Sequence, residues 1–181
     1  MPVRILFVCY ENICRSPMAE GAFRCLSESR GVARHFETWS AGTVFYQTGS
    51  SPDSRAIRAA ARSGIDISGI RARCIHDLDM SGFDHVFVMD HDNYREVAAV
   101  VDGGIRPVVH LMTDFADGAA GTEIEDPYYG SEAGFDSTLM SLAGCVQGIL
   151  DHLISEYALD IEAPEELIRQ PIQEVNHGSA G

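Results

Sequence analysis

RILFVCYENICRSPM, residues 4–18, decides how this chain is read. The apolar run Ile5–Val8 ends on Cys9, and six positions later comes Arg15, followed by Ser16 and by Pro17 at the opening of a helical pattern. The stretch predicts a strand, a tight loop and a helix start. A loop feeding a helix N-terminus aims several backbone N–H groups at one point and adds the positive end of the helix dipole, so it favours an anion. The same field favours a thiolate, the nucleophilic form of cysteine. Arg15 supplies a planar fork of donors suited to two phosphate or carboxylate oxygens at once. A Cys and an Arg at this spacing recur by chance in a chain with five Cys and thirteen Arg, so the context carries the weight. Pro17 is tolerated in a first helical turn, and Asn12 accepts the positive φ of a tight loop.

Working outward, 181 residues suit one domain with a substantial core, and 45% hydrophobic residues is a globular composition. The net charge is −14, with every basic residue an Arg. That balance argues against general binding to nucleic acid or to an anionic membrane, both of which need basic stripes. An odd number of Cys without a regular framework suggests a reducing compartment, with Cys25, Cys74 and Cys145 read as ordinary packing residues. No Cys-x2-Cys or His-x3-His pair suggests a zinc site, so no metal and no cofactor is expected. The opening MPVRILFVC is too short in apolar residues for a signal peptide, and no run approaches a membrane span. The expected location is cytoplasmic.

Along the chain, helical spacing appears over 17–29, a short strand over 36–40, and a second helix capped by Asp53 or Ser54 and stopped by Gly64. Residues 83–89 read as a strand buried on both faces, followed by a helix capped at Asp90 or Asp92; a fourth strand is expected over 106–111. Residues 112–133 show little periodicity and contain Asp126-Pro127-Tyr128-Tyr129; a loop this long in a small domain is usually functional. A long helix from about Gly134 to Tyr157 carries the apolar stripe Phe135, Leu139, Leu142, Val146, Ile149 and Leu153. Alternating strands and roughly five helices predict an α/β fold of three layers, α/β/α. Its central four-stranded parallel sheet has order 2-1-3-4, with the phosphate-binding loop after the first strand. The domain is taken as 1–158, with 159–181 an acidic, mobile tail holding at most a short helix over 165–169.

A thiolate in an anion cradle attacks phosphorus, and the departing oxygen then needs an acid. Asp126, stiffened by Pro127, is the candidate. It can protonate the leaving group and then deprotonate the water that hydrolyses the thiophosphate. Arg15 and the loop amides carry the charge stabilisation without a metal.

Cys9–Pro17, together with the downstream Asp126–Tyr129, resembles the low-molecular-weight protein tyrosine phosphatases. Ser40–Thr43, Asp53–Arg55 and Val88–Asp90 are supporting matches, and the resemblance spans about Val3 to Ala158. It implies Cys9 as nucleophile, Arg15 as phosphate clamp and Asp126 as general acid. It further implies that Ser16 donates to the sulfur, that Asn12 holds the loop shape, and that Cys14 forms a reversible disulfide with Cys9 under oxidation. Substrate contacts are expected from Tyr10, Glu11, Asn12, Ile13, Cys14 and Ser16 of the loop. Tyr46, Tyr128 and Tyr129 are expected to line a deep slot of phosphotyrosine length. The implied partners are a phosphotyrosine-containing protein, a tyrosine kinase among the candidates, and inorganic phosphate as product. Two positions depart from the family pattern: Glu11 stands where Gly is usual, and Ile70 where many members have a His supporting the loop asparagine. The rival readings are an arsenate reductase on the same fold and a protein arginine phosphatase, which has Thr where this chain has Ile13. A third is a non-catalytic phosphate-binding module spoiled by Glu11.

Overall fold

The computed structural model describes residues 1–101 and 107–161. The expectations for Arg106 as the start of a strand, for a helix over 165–169 and for the tail from 162 lie outside the described residues.

Four parallel strands, β1 (Val3–Cys9), β2 (Phe36–Gly42), β3 (His85–Val88) and β4 (Val108–Leu111), form one sheet in the order β2-β1-β3-β4. This is the order expected from the alternation of strands and helices. β1 is central because its apolar run is continuous. Ile5 and Phe7 enter one core with residues of α1 (Arg15–Ser29), α2 (Ser54–Arg62) and α4 (Glu132–Glu156). Leu6 and Val8 enter the other core with Val97 of α3 (His91–Val100) and with Ile75, Met80 and Phe83. Three layers result. Phe7 stacks on Phe87 of β3 at 5.7 Å between ring centroids, both fully buried. Each such side chain contributes about 1.5–3 kcal/mol relative to exposure, which makes the strand that ends on Cys9 the rigid part of the molecule.

Several boundaries differ from the expected ones for identifiable reasons. α1 begins at Arg15, so Pro17 is its third residue; a prolyl nitrogen costs nothing there, because the first-turn N–H groups have no intrahelical acceptor. Asp53 caps α2 by accepting from the Arg55 N–H, and Gly64 ends it at φ 74°. α4 begins at Glu132, and its stripe from Phe135 to Leu153 is buried as expected. Four α-helices are present among the described residues, and the fifth expected one, over 165–169, lies outside them. Cys74 and Cys145 are buried, but Cys25 is exposed on α1, which corrects its reading as a packing residue. No helix among the described residues is long and apolar enough to cross a membrane.

Candidate active site

Cys9 is the last residue of β1, at the carboxyl end of the sheet and at the point where its neighbours β2 and β3 lead away to opposite sides. That is the switch point at which parallel sheets bind ligands. Gly42 lies opposite Cys9 across the β1–β2 pairing. A Cβ on Gly42 would stand 2.7 Å from the Tyr10 oxygen and 2.9 Å from the Glu11 carbonyl carbon, so only glycine lets β2 approach the loop this closely. Three carbonyls of the loop are taken by neighbouring segments: Thr43 N–H donates to Cys9 O (3.0 Å), Val44 N–H to Tyr10 O (3.1 Å) and Asp53 N–H to Ile13 O (2.8 Å). The N–H groups of Glu11, Asn12, Ile13 and Cys14 have no acceptor among the described residues. Four unclaimed N–H donors in succession at the start of α1 are the material of an anion cradle that needs no side chain.

Asn12 takes φ 60°, the left-handed region that the loop requires at this residue. Its Nδ2 donates to Ser16 Oγ (2.8 Å) and its Oδ1 accepts from the Arg73 N–H (2.9 Å). The backbone of Arg73 therefore supplies the support that a histidine side chain at position 70 would give, and Ile70 is buried as an ordinary apolar residue. Ser16 Oγ lies 3.1 Å from Cys9 Sγ and 3.3 Å from Ala41 O. Already accepting from Asn12, the Ser16 hydroxyl has one proton to give, either to a thiolate at Cys9 or to Ala41 O.

Arg15 is buried, with Nη1 donating to Asp90 Oδ2 (2.7 Å) and to Ile124 O (3.0 Å), and Nη2 donating to Asp126 Oδ2 (3.0 Å). Its buried Nε has no acceptor. Burial alone would lower the guanidinium pKa. Cys9, Asp126 and Asp90 outweigh burial and raise it, so the cation is secure. In the sequence Asp90 shows itself as a helix cap. It is that, accepting from Asn93 N–H at 2.7 Å through Oδ1, and with Oδ2 it also aims Arg15. Two signals pointed to it: the Val88–Asp90 match and its place at the carboxyl end of a strand. Tyr128 N–H donates to Asp126 Oδ1 (3.1 Å), so the carboxyl is fixed by its own turn on one oxygen and by Arg15 on the other.

A cavity of 170 Å³ at the mouth of this loop is lined by Tyr10, Glu11, Ile13, Cys14, Asp126, Tyr128 and Tyr129. Tyr46, expected in this wall, does not line it. The side chain is 64% exposed with its ring against Phe45, because its loop is pinned elsewhere by Gly49 N–H to Ala72 O and Ala72 N–H to Ser50 O. Glu11 is half-buried in the cavity wall and has no ion pair among the described residues. Arg55, a conceivable partner for it, is bound to Asp53 instead. Glycine is not required at position 11, since the positive φ falls on Asn12. Burial, then the neighbouring Cys9 and Asp53, push the Cys14 thiol far up, leaving it neutral beside the cradle.

Among the described residues no cluster of His, Cys, Asp and Glu is arranged to hold a metal ion. The model of the family described as low molecular weight phosphotyrosine protein phosphatase matches residues 4–159. The Schizosaccharomyces pombe low molecular weight phosphotyrosine protein phosphatase is 36% identical over 149 residues, covering 82% of this chain and 95% of its own. The human protein of the same description is 33% identical over 149 residues, covering 81% and 93%. The crystal structure of a protein tyrosine phosphatase from Entamoeba histolytica with Hepes in the active site superposes with a TM-score of 0.80 at 32% identity, covering 87% of this chain and 99% of that one. The chain belongs to the low molecular weight phosphotyrosine protein phosphatase family.

Proposed function

We infer that this protein hydrolyses phosphotyrosine in proteins through a phosphocysteine on Cys9. The observation that carries the reading is a set of donors with nothing to hold in the loop that follows Cys9: the unclaimed N–H groups of Glu11–Cys14 and the orphaned, buried Nε of Arg15. A phosphoryl dianion satisfies all of them. The thiolate of Cys9 attacks phosphorus while the bond from phosphorus to the ester oxygen breaks, and that oxygen takes the proton of Asp126. Asp126, now a carboxylate, takes a proton from water as the water oxygen bonds to phosphorus. The S–P bond breaks, inorganic phosphate leaves, and the Ser16 hydroxyl turns to the returning thiolate. Arg15 and the loop amides hold the equatorial oxygens throughout.

The aromatic walls at Tyr10, Tyr128 and Tyr129, with Ile13 below them, suit a flat apolar ring better than a guanidinium. This favours phosphotyrosine over phosphoarginine. An arsenate reductase relay needs two further cysteines near Cys9; Cys74 and Cys145 are buried, and neither lines the cavity. The spoiled-module reading is weakened because Glu11 puts no strain on the backbone of the loop, the positive φ falling on Asn12. The test is turnover of an aryl phosphate by native protein and by Cys9→Ser, each with a metal chelator present. The native protein should turn over and Cys9→Ser should not, while phosphate still binds both. Turnover in Cys9→Ser above a trace would overturn the phosphocysteine.

A further inference from the structure

The two loops of the site belong to distant parts of the chain, and Arg55 ties them together. Its guanidinium grips Asp53 with two bonds, Nε to Oδ1 at 3.0 Å and Nη2 to Oδ2 at 2.8 Å. Asp53 in turn donates its N–H to Ile13 O of the nucleophile loop (2.8 Å). On the other side, Arg55 Nη1 donates to Gly130 O at 3.3 Å. The guanidinium also lies 5.6 Å from the Tyr128 ring centroid and 4.6 Å from that of Phe135. Gly130 N–H donates to Pro127 O (2.8 Å), closing the tight turn that begins at Pro127, immediately after Asp126. Within that turn the Tyr128 N–H holds the Asp126 carboxyl (3.1 Å). One continuous path of hydrogen bonds and ring contacts thus runs from the loop after Cys9, through Asp53 and Arg55, to the carboxyl of Asp126.

We propose that Arg55 is a positioning residue for the general acid, and that the Asp53–Arg55 pair sets the spacing between the nucleophile loop and the acid turn. The proposal rests on the reading of Asp126 as the acid. Planarity matters as much as charge here: the guanidinium must hold a carboxylate in its plane, cover an aromatic ring with its face, and still present an N–H to Gly130. The other cations that join α2 to α4 do not reach the turn. Arg58 pairs with Glu132, and Arg62 with Asp136 at 2.6 Å, both at exposed sites on the first turns of α4, where ion pairs contribute little. They fasten the helix behind the acid turn, whereas Arg55 fastens the turn.

The consequence is selective. A misplaced acid slows the expulsion of a leaving group that needs a proton and spares one that departs as a stable anion. The experiment compares kcat/KM, which reports the first irreversible step, for phenyl phosphate and for 4-nitrophenyl phosphate. The variants are Asp126→Ala, Arg55→Met, Arg55→Lys, Asp53→Asn and Arg62→Met. Asp126→Ala should lose much more with phenyl phosphate than with the nitrophenyl ester; if it does not, the acid reading itself fails. Given that split, Arg55→Met should lose about ten- to a hundredfold with phenyl phosphate, a part of what general-acid catalysis supplies, and under about threefold with the nitrophenyl ester. Inhibition by inorganic phosphate should be unchanged. Arg55→Lys should recover only part of the loss. Asp53→Asn, which keeps the helix cap, should show the same split more weakly, and Arg62→Met should show none. If Arg55→Met does not fold, Arg55→Lys and Asp53→Asn carry the same comparison. Equal losses with both esters, or none, in the folded Arg55 and Asp53 variants alongside a split in Asp126→Ala would overturn the proposal.

Discussion

Asp90 holds Arg15 at 2.7 Å with one carboxylate oxygen and caps α3 with the other. Arg15, the proposed clamp for the phosphoryl group, is therefore aimed by the start of a helix on the opposite face of the sheet from its own. A phosphate oxygen that meets Arg15 meets a guanidinium already fixed in its plane, so little rotational freedom remains to be lost on binding.

Asp90→Asn separates the two duties, because asparagine caps a helix as well as aspartate but carries no charge. α3 should remain folded while Arg15 loses a charge-assisted bond of about 1.5–3 kcal/mol. The expected outcome is a fall in kcat/KM of roughly ten- to a hundredfold with both high- and low-pKa leaving groups, with thermal stability changed little. Native kcat/KM in this variant would show that Arg15 does not need Asp90.

Glu11 places an unpaired carboxylate in the wall of a cavity that receives a dianion. At an effective dielectric between about 20 and 80, such a charge opposes binding by roughly 0.5–2 kcal/mol. Glu11→Gln should tighten competitive inhibition by phosphate a few-fold in low salt, and less in high salt because mobile ions screen the pair. Identical inhibition constants for the two proteins at low salt would show that the carboxylate turns away into solvent.

A third test concerns stability and lies at the other end of the sheet. His110 stacks against Phe87 at 5.1 Å and shares a 3.2 Å contact with His85. Burial, then the neighbouring His85 and His152, lower its pKa to about 4. The folded protein keeps this imidazole neutral, while the unfolded chain protonates it near its ordinary value of about 6.5. Stability from this group is fully present above that value and is lost as pH falls from about 6.5 toward 4, by an amount that solvent reaching this half-buried ring reduces. Urea midpoints should therefore fall less steeply over that range in His110→Gln than in the native protein. Parallel slopes would assign the acid sensitivity to other groups.

The strand, loop and helix start around Cys9 were legible because each has a local cause: a continuous apolar run, a residue that accepts positive φ, and a proline within the first helical turn. The sheet order followed from alternation and handedness alone. What local pattern could not reveal were duties created by contacts across the chain. Asp90 shows its capping role in sequence but not its second oxygen on Arg15. Ile70 announces the absence of a histidine, but not that the Arg73 N–H fills the vacancy. Tyr46 is placed in the wall by its position in sequence, whereas its exposed ring packs on Phe45 and hydrogen bonds from Gly49 and Ala72 set the path of its loop. Cys25 falls among apolar neighbours in sequence but on the outer side of α1.

Arg15 meets Asp90, Ile124 and Asp126 at separations of 75, 109 and 111 residues, although it lies only six residues from Cys9. During synthesis Cys9 and Arg15 are made well before residue 126, so the contacts around Arg15 cannot be completed until residue 126 has emerged. Until then Arg15 lacks at least one of these three partners. On the proposed function, phosphate binds only the completed arrangement, and millimolar phosphate should then shift the folding equilibrium of the entire domain by mass action rather than brace one loop. Assembly and chemical competence are thus a single event in this protein.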